Sequence, residues 1–329
     1  MALKATAADP ALLDDPEVAA LLAEADALLE ANPLQGYTPH AKQKPFHAFH
    51  GRTKVFLGGN RSGKTTGGIV DDLIQAMDED VVPEHLQPYK KWHGVFKCRI
   101  VTPDFTRTMV AVQEAIRRWC PSEQLAGGTW DSAYEKAGRV LRFANGSFFE
   151  FMTYEQDIDK FGGSARHRVH YDEEPPGEKG EMVRQECTMR LADYNGDEVF
   201  TFTPLLGLTW TFDELWEGKG PQVAEDVWER EDLLVVKVDM DDNIHLSEAG
   251  KNAALASIPE AYRAARKGGN FVHFQGLVYP EFDFGTNTCD PIQPDHLKGQ
   301  SIQICIDPGI DKTDRSASLC QVDRRDQPD

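Results

Sequence analysis

The sequence predicts an α/β fold in which a mainly parallel sheet is flanked by helices, and three observations carry that expectation. Residues 54–66 read Lys-Val-Phe-Leu-Gly-Gly-Asn-Arg-Ser-Gly-Lys-Thr-Thr, a short apolar strand that turns through glycines into a helix bearing Ile69, Leu73, Ile74 and Met77 on one face. Further apolar stretches at 98–102, 168–172, 198–203 and 233–239 alternate with helical ones, the order that builds parallel strands with crossover helices. The 329 residues are 40% hydrophobic and 27% charged, enough apolar material for a large core without covalent staples.

The elements follow in chain order. Residues 11–31 form an amphipathic helix, broken too often by Asp14, Asp15, Glu17, Glu24, Asp26 and Glu30 to cross a membrane. A turn and short helix at 37–43 precede the glycine loop. The 107–120 stretch keeps Met109, Val112, Ile116 and Trp119 in helical register. Around Asn145-Gly146, residues 139–151 read as a hairpin, expected as a local insertion. Helices at 247–257 and 259–267 stop at Gly268-Gly269. A linker-like stretch at 276–300 leads to a strand at 301–307 with one successor at 317–322.

Charge narrows the function. Lys and Arg number 35 against 54 Asp and Glu, net −19, which excludes a surface that holds nucleic acid non-specifically. Any DNA contact must be a local patch. Between Glu30 and Asp71 acidic residues vanish while Lys42, Lys44, Arg52, Lys54, Arg61 and Lys64 accumulate, so this window invites an anion. Six cysteines without a C-x-x-C pair point to neither a disulfide framework nor a zinc ribbon.

The chemistry centres on Gly58, Gly59, Asn60, Arg61, Ser62, Gly63, Lys64, Thr65 and Thr66, which fit G-x-x-x-x-G-K-[ST]. Backbone N–H groups of such a loop converge on phosphate oxygens, the lysine reaches the β- and γ-phosphates, and the Thr65 hydroxyl can hold Mg²⁺. Hydrolysis needs a metal anchor and a residue that orients water. Asp172 at a strand end and Glu173 beside it supply both, with Glu174 as a competitor for the second role; the pair also reads as a charged loop entering a helix. Gln43 could read an adenine edge with Phe46 packed nearby, or be an exposed glutamine at a helix start. Thr201 and Thr203 could sense the γ-phosphate, or be two β-branched strand residues.

Taken in order, the glutamine element, GGNRSGKTT, HYDEEPP, TFTPLLGLTW, GLVYPEFD and IDPGID resemble the large terminase subunit of tailed bacteriophages over roughly residues 39–310. The resemblance implies a P-loop ATPase of the additional-strand, catalytic-glutamate type, followed by an RNase H-like nuclease. It makes Lys64 and Thr65 the Walker A pair and Asp172 and Glu173 the Walker B pair, with Glu173 and Lys64 catalytic. Thr201 and Thr203 become the coupling motif, and Asp307 the first nuclease metal ligand. Many terminases carry an arginine finger just before the Walker B strand; the corresponding stretch here, 160–168, offers Arg166 and Arg168, with Arg61 a third candidate.

The implied organisation is an N-terminal helix at 1–35, ATPase core at 36–204, lid and remaining ATPase elements at 205–275, linker at 276–300 and nuclease start at 301–329. With 22 residues after Asp307, that nuclease is expected to be incomplete and unable to cut DNA, because two-metal sites gather several carboxylates. Implied ligands are ATP and Mg²⁺. Implied partners are double-stranded DNA, the portal protein and procapsid, the small terminase subunit and further copies in a ring on the portal, with no membrane, in the host cytoplasm. A P-loop helicase or repair ATPase, and a nucleotide-dependent interaction module without turnover, are the alternatives.

Overall fold

The computed structural model describes residues 15–243, 245–271, 301–306 and 318–323. The chain divides into two compact units, Met1–Gln275 and Gly276–Asp329. In chain order the first unit holds α1 (Pro16–Ala31), α2 (Gln43–Ala48), β1 (Thr53–Gly58), α3 (Lys64–Ala76), β2 (Lys97–Thr102), α4 (Thr108–Trp119) and a single turn α5 (Trp130–Ala133). These are followed by β3 (Tyr134–Glu135), β4 (Val140–Arg142), β5 (Phe148–Thr153), β6 (Arg168–Asp172), α6 (Gly177–Leu191) and β7 (Asp197–Phe202). After a wide π-helical turn at Thr211–Glu217 come β8 (Gln222–Ala224), β9 (Val227–Arg230), β10 (Leu233–Val238), α7 (Glu248–Ala256) and α8 (Glu260–Gly268).

All ten strands of this unit join one sheet in the order β3-β4-β5-β2-β6-β7-β1-β10-β9-β8. The six central strands, β5 to β10 in that order, are parallel, and antiparallel partners close both ends. Every residue of β1, β6 and β7 is buried, as parallel strands covered on both faces require. Side chains alternate between two cores. Ile100 of β2 packs with Ile69, Leu73 and Ile74 of α3 and Met109, Val112 and Ile116 of α4. Its neighbour Val101 packs on the opposite face with Val55, Leu57, Tyr171 and Phe200, and with Val183 and Cys187 of α6. Because β7 lies between β1 and β6, the glycine loop and the Asp172 strand are separated by one additional strand, the arrangement that the resemblance implies.

Two details differ from expectation. The Asn145-Gly146 turn does join β4 and β5 antiparallel, but β5 continues along β2 in parallel from Lys97↔Phe148 to Thr102↔Thr153, so the hairpin extends the main sheet and is not a local insertion. The leucines of α1 do not meet a core: Leu21 is 65% and Leu28 59% exposed. In the second unit β11 (Ser301–Ile306) and β12 (Ser318–Asp323) pair antiparallel, Ser301 opposite Asp323. Asp307 and the 276–300 stretch lie outside the described residues. Among the described residues no helix is long and apolar enough to cross a membrane.

Candidate nucleotide site

The loop between β1 and α3 stands at the carboxyl end of the parallel strands. Gly63 adopts φ +90°, a left-handed conformation that lets the chain turn sharply into α3 and leaves that helix's first N–H groups aimed into the loop. The partial positive charge of a helix N-terminus and those donors favour an anion there. Lys64 is buried and donates from Nζ to the Gly59 carbonyl at 2.6 Å. Burial pulls its ammonium pKa down, and the carboxylates of Glu173 and Asp172 oppose that shift. The Ser62 hydroxyl donates to the same Gly59 carbonyl, and the Asn60 N–H donates to the Arg266 carbonyl at the end of α8.

Asp172 closes β6 directly across from Thr201 of β7. Its carboxylate accepts the Thr201 hydroxyl at 2.7 Å and is also hydrogen-bonded by Thr65. Burial raises its pKa, and the neighbouring His170, the Thr201 and Thr65 hydroxyl bonds and the Lys64 ammonium pull the other way. Glu173 is turned out of the strand at φ +71° while its N–H donates to the Thr201 carbonyl at 2.9 Å. A non-glycine residue held there costs on the order of 1–3 kcal/mol, so the surroundings must impose it. Burial and the charge of Asp172 raise the Glu173 pKa. Lys64, Thr65, Asp172 and Glu173 are therefore one electrostatic cluster.

The remaining candidates frame this cluster. Thr203 donates to the Gly58 carbonyl at 2.8 Å and approaches Asn60 Oδ1 at 3.3 Å. Thr201 of β7 and Thr203 just past its end thus bond to opposite sides of the site, Thr201 to the aspartate and Thr203 to the loop. Gln43 is buried, accepts from the His40 N–H and donates to the Gly63 carbonyl at 3.4 Å, so the exposed-glutamine alternative is not what the fold builds. Phe46 is fully buried and stacks on Phe56 with centroids 4.8 Å apart. Glu174 accepts from the N–H groups of Leu205 and Leu206 and from Thr211, and burial pushes its carboxyl up to about 7.

A buried polar chain runs under the site. On β6, Arg168, His170 and Asp172 share the face covered by α3, alternating with Val169 and Tyr171. Tyr37 bonds His47 at 2.9 Å, His47 bonds Asp71, and Arg168 bonds Asp71, Asp72 and Asp197. His170 then spans Asp72 at 2.6 Å and the Thr201 hydroxyl at 2.8 Å, which leads to Asp172. Lys54 and Arg168 hold the Asp71 carboxyl far below the usual range, and Arg168 lowers that of Asp197.

This chain corrects two expectations. Two of the six basic residues of the window do not await an anion: Lys54 pairs with Asp71 at 2.6 Å, and Lys42 with Asp226 and Asp242 at 2.7 and 2.8 Å. Arg168, 1% exposed and locked to three aspartates, cannot reach a neighbouring subunit as a finger. Arg166 is 4% exposed and donates to Glu150 and to the Ser164 and Ala165 carbonyls, so the same objection holds. Arg61 is exposed at the loop, with φ +62°. Sequence reasoning missed Arg107, whose side chain is 86% exposed and whose charge lowers the Glu173 pKa. His170 also belongs to the site, and its two-residue spacing from Asp172 on one strand is the signal in the sequence that could place it there.

The residues present fit a divalent ion bound together with phosphate. Among the described residues no three His, Cys, Asp or Glu side chains cluster as a metal site, whereas the Thr65 hydroxyl and the Asp172 carboxylate meet beside Lys64. Magnesium in phosphoryl-transfer sites typically takes one or two protein ligands of this kind and completes its shell with phosphate and water.

Comparison with known proteins agrees with this geometry. No family model matches the chain. Over 148 residues it is 29% identical to the terminase large subunit of Salmonella phage P22, which covers 45% of this chain and 27% of that protein, so the chain spans about a quarter of the terminase it matches. Among solved structures, a mutant large terminase ATPase domain of Thermus phage P74-26 superposes with a TM-score of 0.53 at 15% identity, over 73% of this chain and 97% of that one. The large terminase of a thermophilic bacteriophage, solved with ADP, gives a TM-score of 0.52 at 15% identity, over 87% of this chain and 65% of that one. The same protein solved with ATP-γ-S gives 0.52 at 15% identity, over 82% and 61%. The chain is similar to a phage large terminase subunit over 45% of its length and carries the fold of the large terminase ATPase domain.

Proposed function

We propose that this chain binds ATP with Mg²⁺ at the 58–66 loop and hydrolyses it to drive double-stranded viral DNA into a procapsid. The observation that carries the reading is the convergence of Lys64, Thr65, Asp172 and Glu173 at one end of the sheet, joined through Thr201. Lys64 would exchange the Gly59 carbonyl for β- and γ-phosphate oxygens, and the N–H groups opening α3 would hold the remaining phosphate charge. Thr65 and Asp172 would hold Mg²⁺, which neutralises charge developing on the transferred group. Glu173, beside Asp172 and raised in pKa, would orient and polarise the attacking water. Thr203 and Asn60 stand where loop movement would be felt by β7. Arg61 is the finger candidate that the fold leaves at the surface.

The ADP and ATP-γ-S complexes of the thermophilic phage terminase support the nucleotide assignment. The similarity to the P22 terminase large subunit supports a packaging role, and we propose the portal, procapsid, small terminase subunit and further copies in a ring as partners in the host cytoplasm. Single-turnover phosphate release, measured with linear double-stranded DNA and portal-bearing procapsids, tests the proposal. Release should be slow for the chain alone and rise when both are present. Stimulation by forked or single-stranded DNA without procapsids would favour a helicase, and no release under any condition an interaction module.

A further inference from the structure

We infer that Glu174 is a positioning residue: its carboxylate pins the segment that follows β7 and so holds its neighbour Glu173 in the conformation that addresses the nucleotide. The inference rests on the proposed role of Glu173 and adds a residue to it. Glu174 is 6% exposed. Its Oε2 accepts the Leu205 N–H at 2.5 Å and the Leu206 N–H at 2.8 Å, and its Oε1 accepts the Thr211 hydroxyl at 3.1 Å. Leu205 and Leu206 offer the first backbone donors after Pro204, which has none. Thr211 is fully buried where the π-helical turn begins.

These three bonds answer two questions at once. Between the buried residues Pro204 and Trp210 the chain has left the sheet with Leu206 37% and Leu208 47% exposed, so the 205–209 stretch has little apolar burial of its own to fix it. Three hydrogen bonds from this stretch and from Thr211 to one buried carboxyl group fix it instead. Glu173 sits at φ +71° between two anchored points, its own N–H on the Thr201 carbonyl and the Glu174 carboxylate on Leu205, Leu206 and Thr211. With both sides fixed, the strained backbone has no room to relax. Both carboxylate oxygens of Glu174 are engaged with this segment, which leaves the water-polarising role to Glu173. Movement of 203–211 would then be transmitted to Glu173 through Glu174.

Substituting the carboxylate separates geometry from charge. In Glu174→Gln the amide oxygen still accepts from Leu205 and Leu206 while its N–H₂ donates to the Thr211 oxygen, so all three contacts survive. Glu174→Ala removes them. Steady-state ATP turnover with DNA and procapsids should keep at least about half its kcat in Glu174→Gln and fall roughly ten- to hundredfold in Glu174→Ala, with KM and nucleotide affinity unchanged, the pattern of a misplaced catalytic group. Amide exchange in the nucleotide-free chain should show lost protection across 205–211 in Glu174→Ala and near-native protection in Glu174→Gln. If Glu174→Ala does not fold, Thr211→Val should lower kcat and Thr211→Ser restore it. Equal inactivity of Glu174→Gln and Glu174→Ala would assign a chemical role to the carboxylate and overturn the inference, as would native kcat or native protection in Glu174→Ala. Should Glu173→Gln turn over normally, the role of Glu173 fails, while the exchange measurement still decides whether Glu174 anchors the segment.

Discussion

The Thr201 hydroxyl donates a 2.7 Å hydrogen bond to the Asp172 carboxylate while its oxygen lies 2.8 Å from His170 Nε2. One side chain of the central additional strand therefore joins the metal-anchoring position to the buried polar chain beneath it. Thr201→Val keeps the shape and removes both contacts. Leaving buried polar atoms without partners costs about 1–3 kcal/mol, which urea unfolding should register, whereas Thr201→Ser should stay close to wild type. Equal stability of the three proteins would show that the hydroxyl is not a structural link.

Arg168 governs stability towards acid. Asp71 and Asp197 have folded pKa values depressed below the ordinary 3.8, Asp71 chiefly by Lys54 and then Arg168, Asp197 chiefly by Arg168. A depressed carboxyl contributes stability that is present above the unfolded pKa and lost as pH falls through the folded one. Melting temperature should thus be nearly flat from pH 7 to about 5 on account of these groups, and drop below about 4. Arg168→Leu takes the shared guanidinium from three buried aspartates, which keep Lys54, His47, His170 and Lys91 as partners, and should cost about 3–5 kcal/mol at neutral pH, and much less in acid once they are protonated. A loss of equal size at both pH values would remove Arg168 from this role.

Gly68 faces the polar chain at a distance that admits no side chain. A Cβ there would lie 2.6 Å from His170 Cε1 and 2.7 Å from Thr201 Cγ2. Ordinary helix propensity favours alanine over glycine by about 0.5–1 kcal/mol, but overpacking a buried contact costs about 1–3 kcal/mol, so the clash wins. Gly68→Ala should lower the melting temperature and reduce turnover. A more stable, fully active variant would mean that His170 and Thr201 can shift freely.

Much of this was legible in the sequence because it is local. Strand, loop and helix at 53–76 are set by apolar alternation, glycine spacing and a 3.6-residue stripe, and the structure has β1 and α3 there. Asp172 could be placed because it ends a strand. What stayed hidden depends on residues far apart in the chain. Lys54, Lys42 and Arg168 looked free for an anion or a neighbour because their carboxylate partners arrive from other elements: Arg168 and Asp71 are 97 positions apart. Glu174 looked like a second catalytic carboxylate because its partners are mostly backbone N–H groups, which no side-chain pattern reveals. The edge strands β8 and β9, three and four residues long, are too short for an alternation signal.

The central claim is that Lys64 holds phosphate in the ground state whereas Glu173 acts only when water attacks. The most direct test measures ATP binding and single-turnover phosphate release side by side for wild type, Lys64→Ala and Glu173→Gln. Lys64→Ala should lose binding, and Glu173→Gln should bind ATP as wild type does yet release phosphate at least about a hundredfold more slowly, the scale of a lost general base. Phosphate release by Glu173→Gln at the wild-type rate would contradict the account.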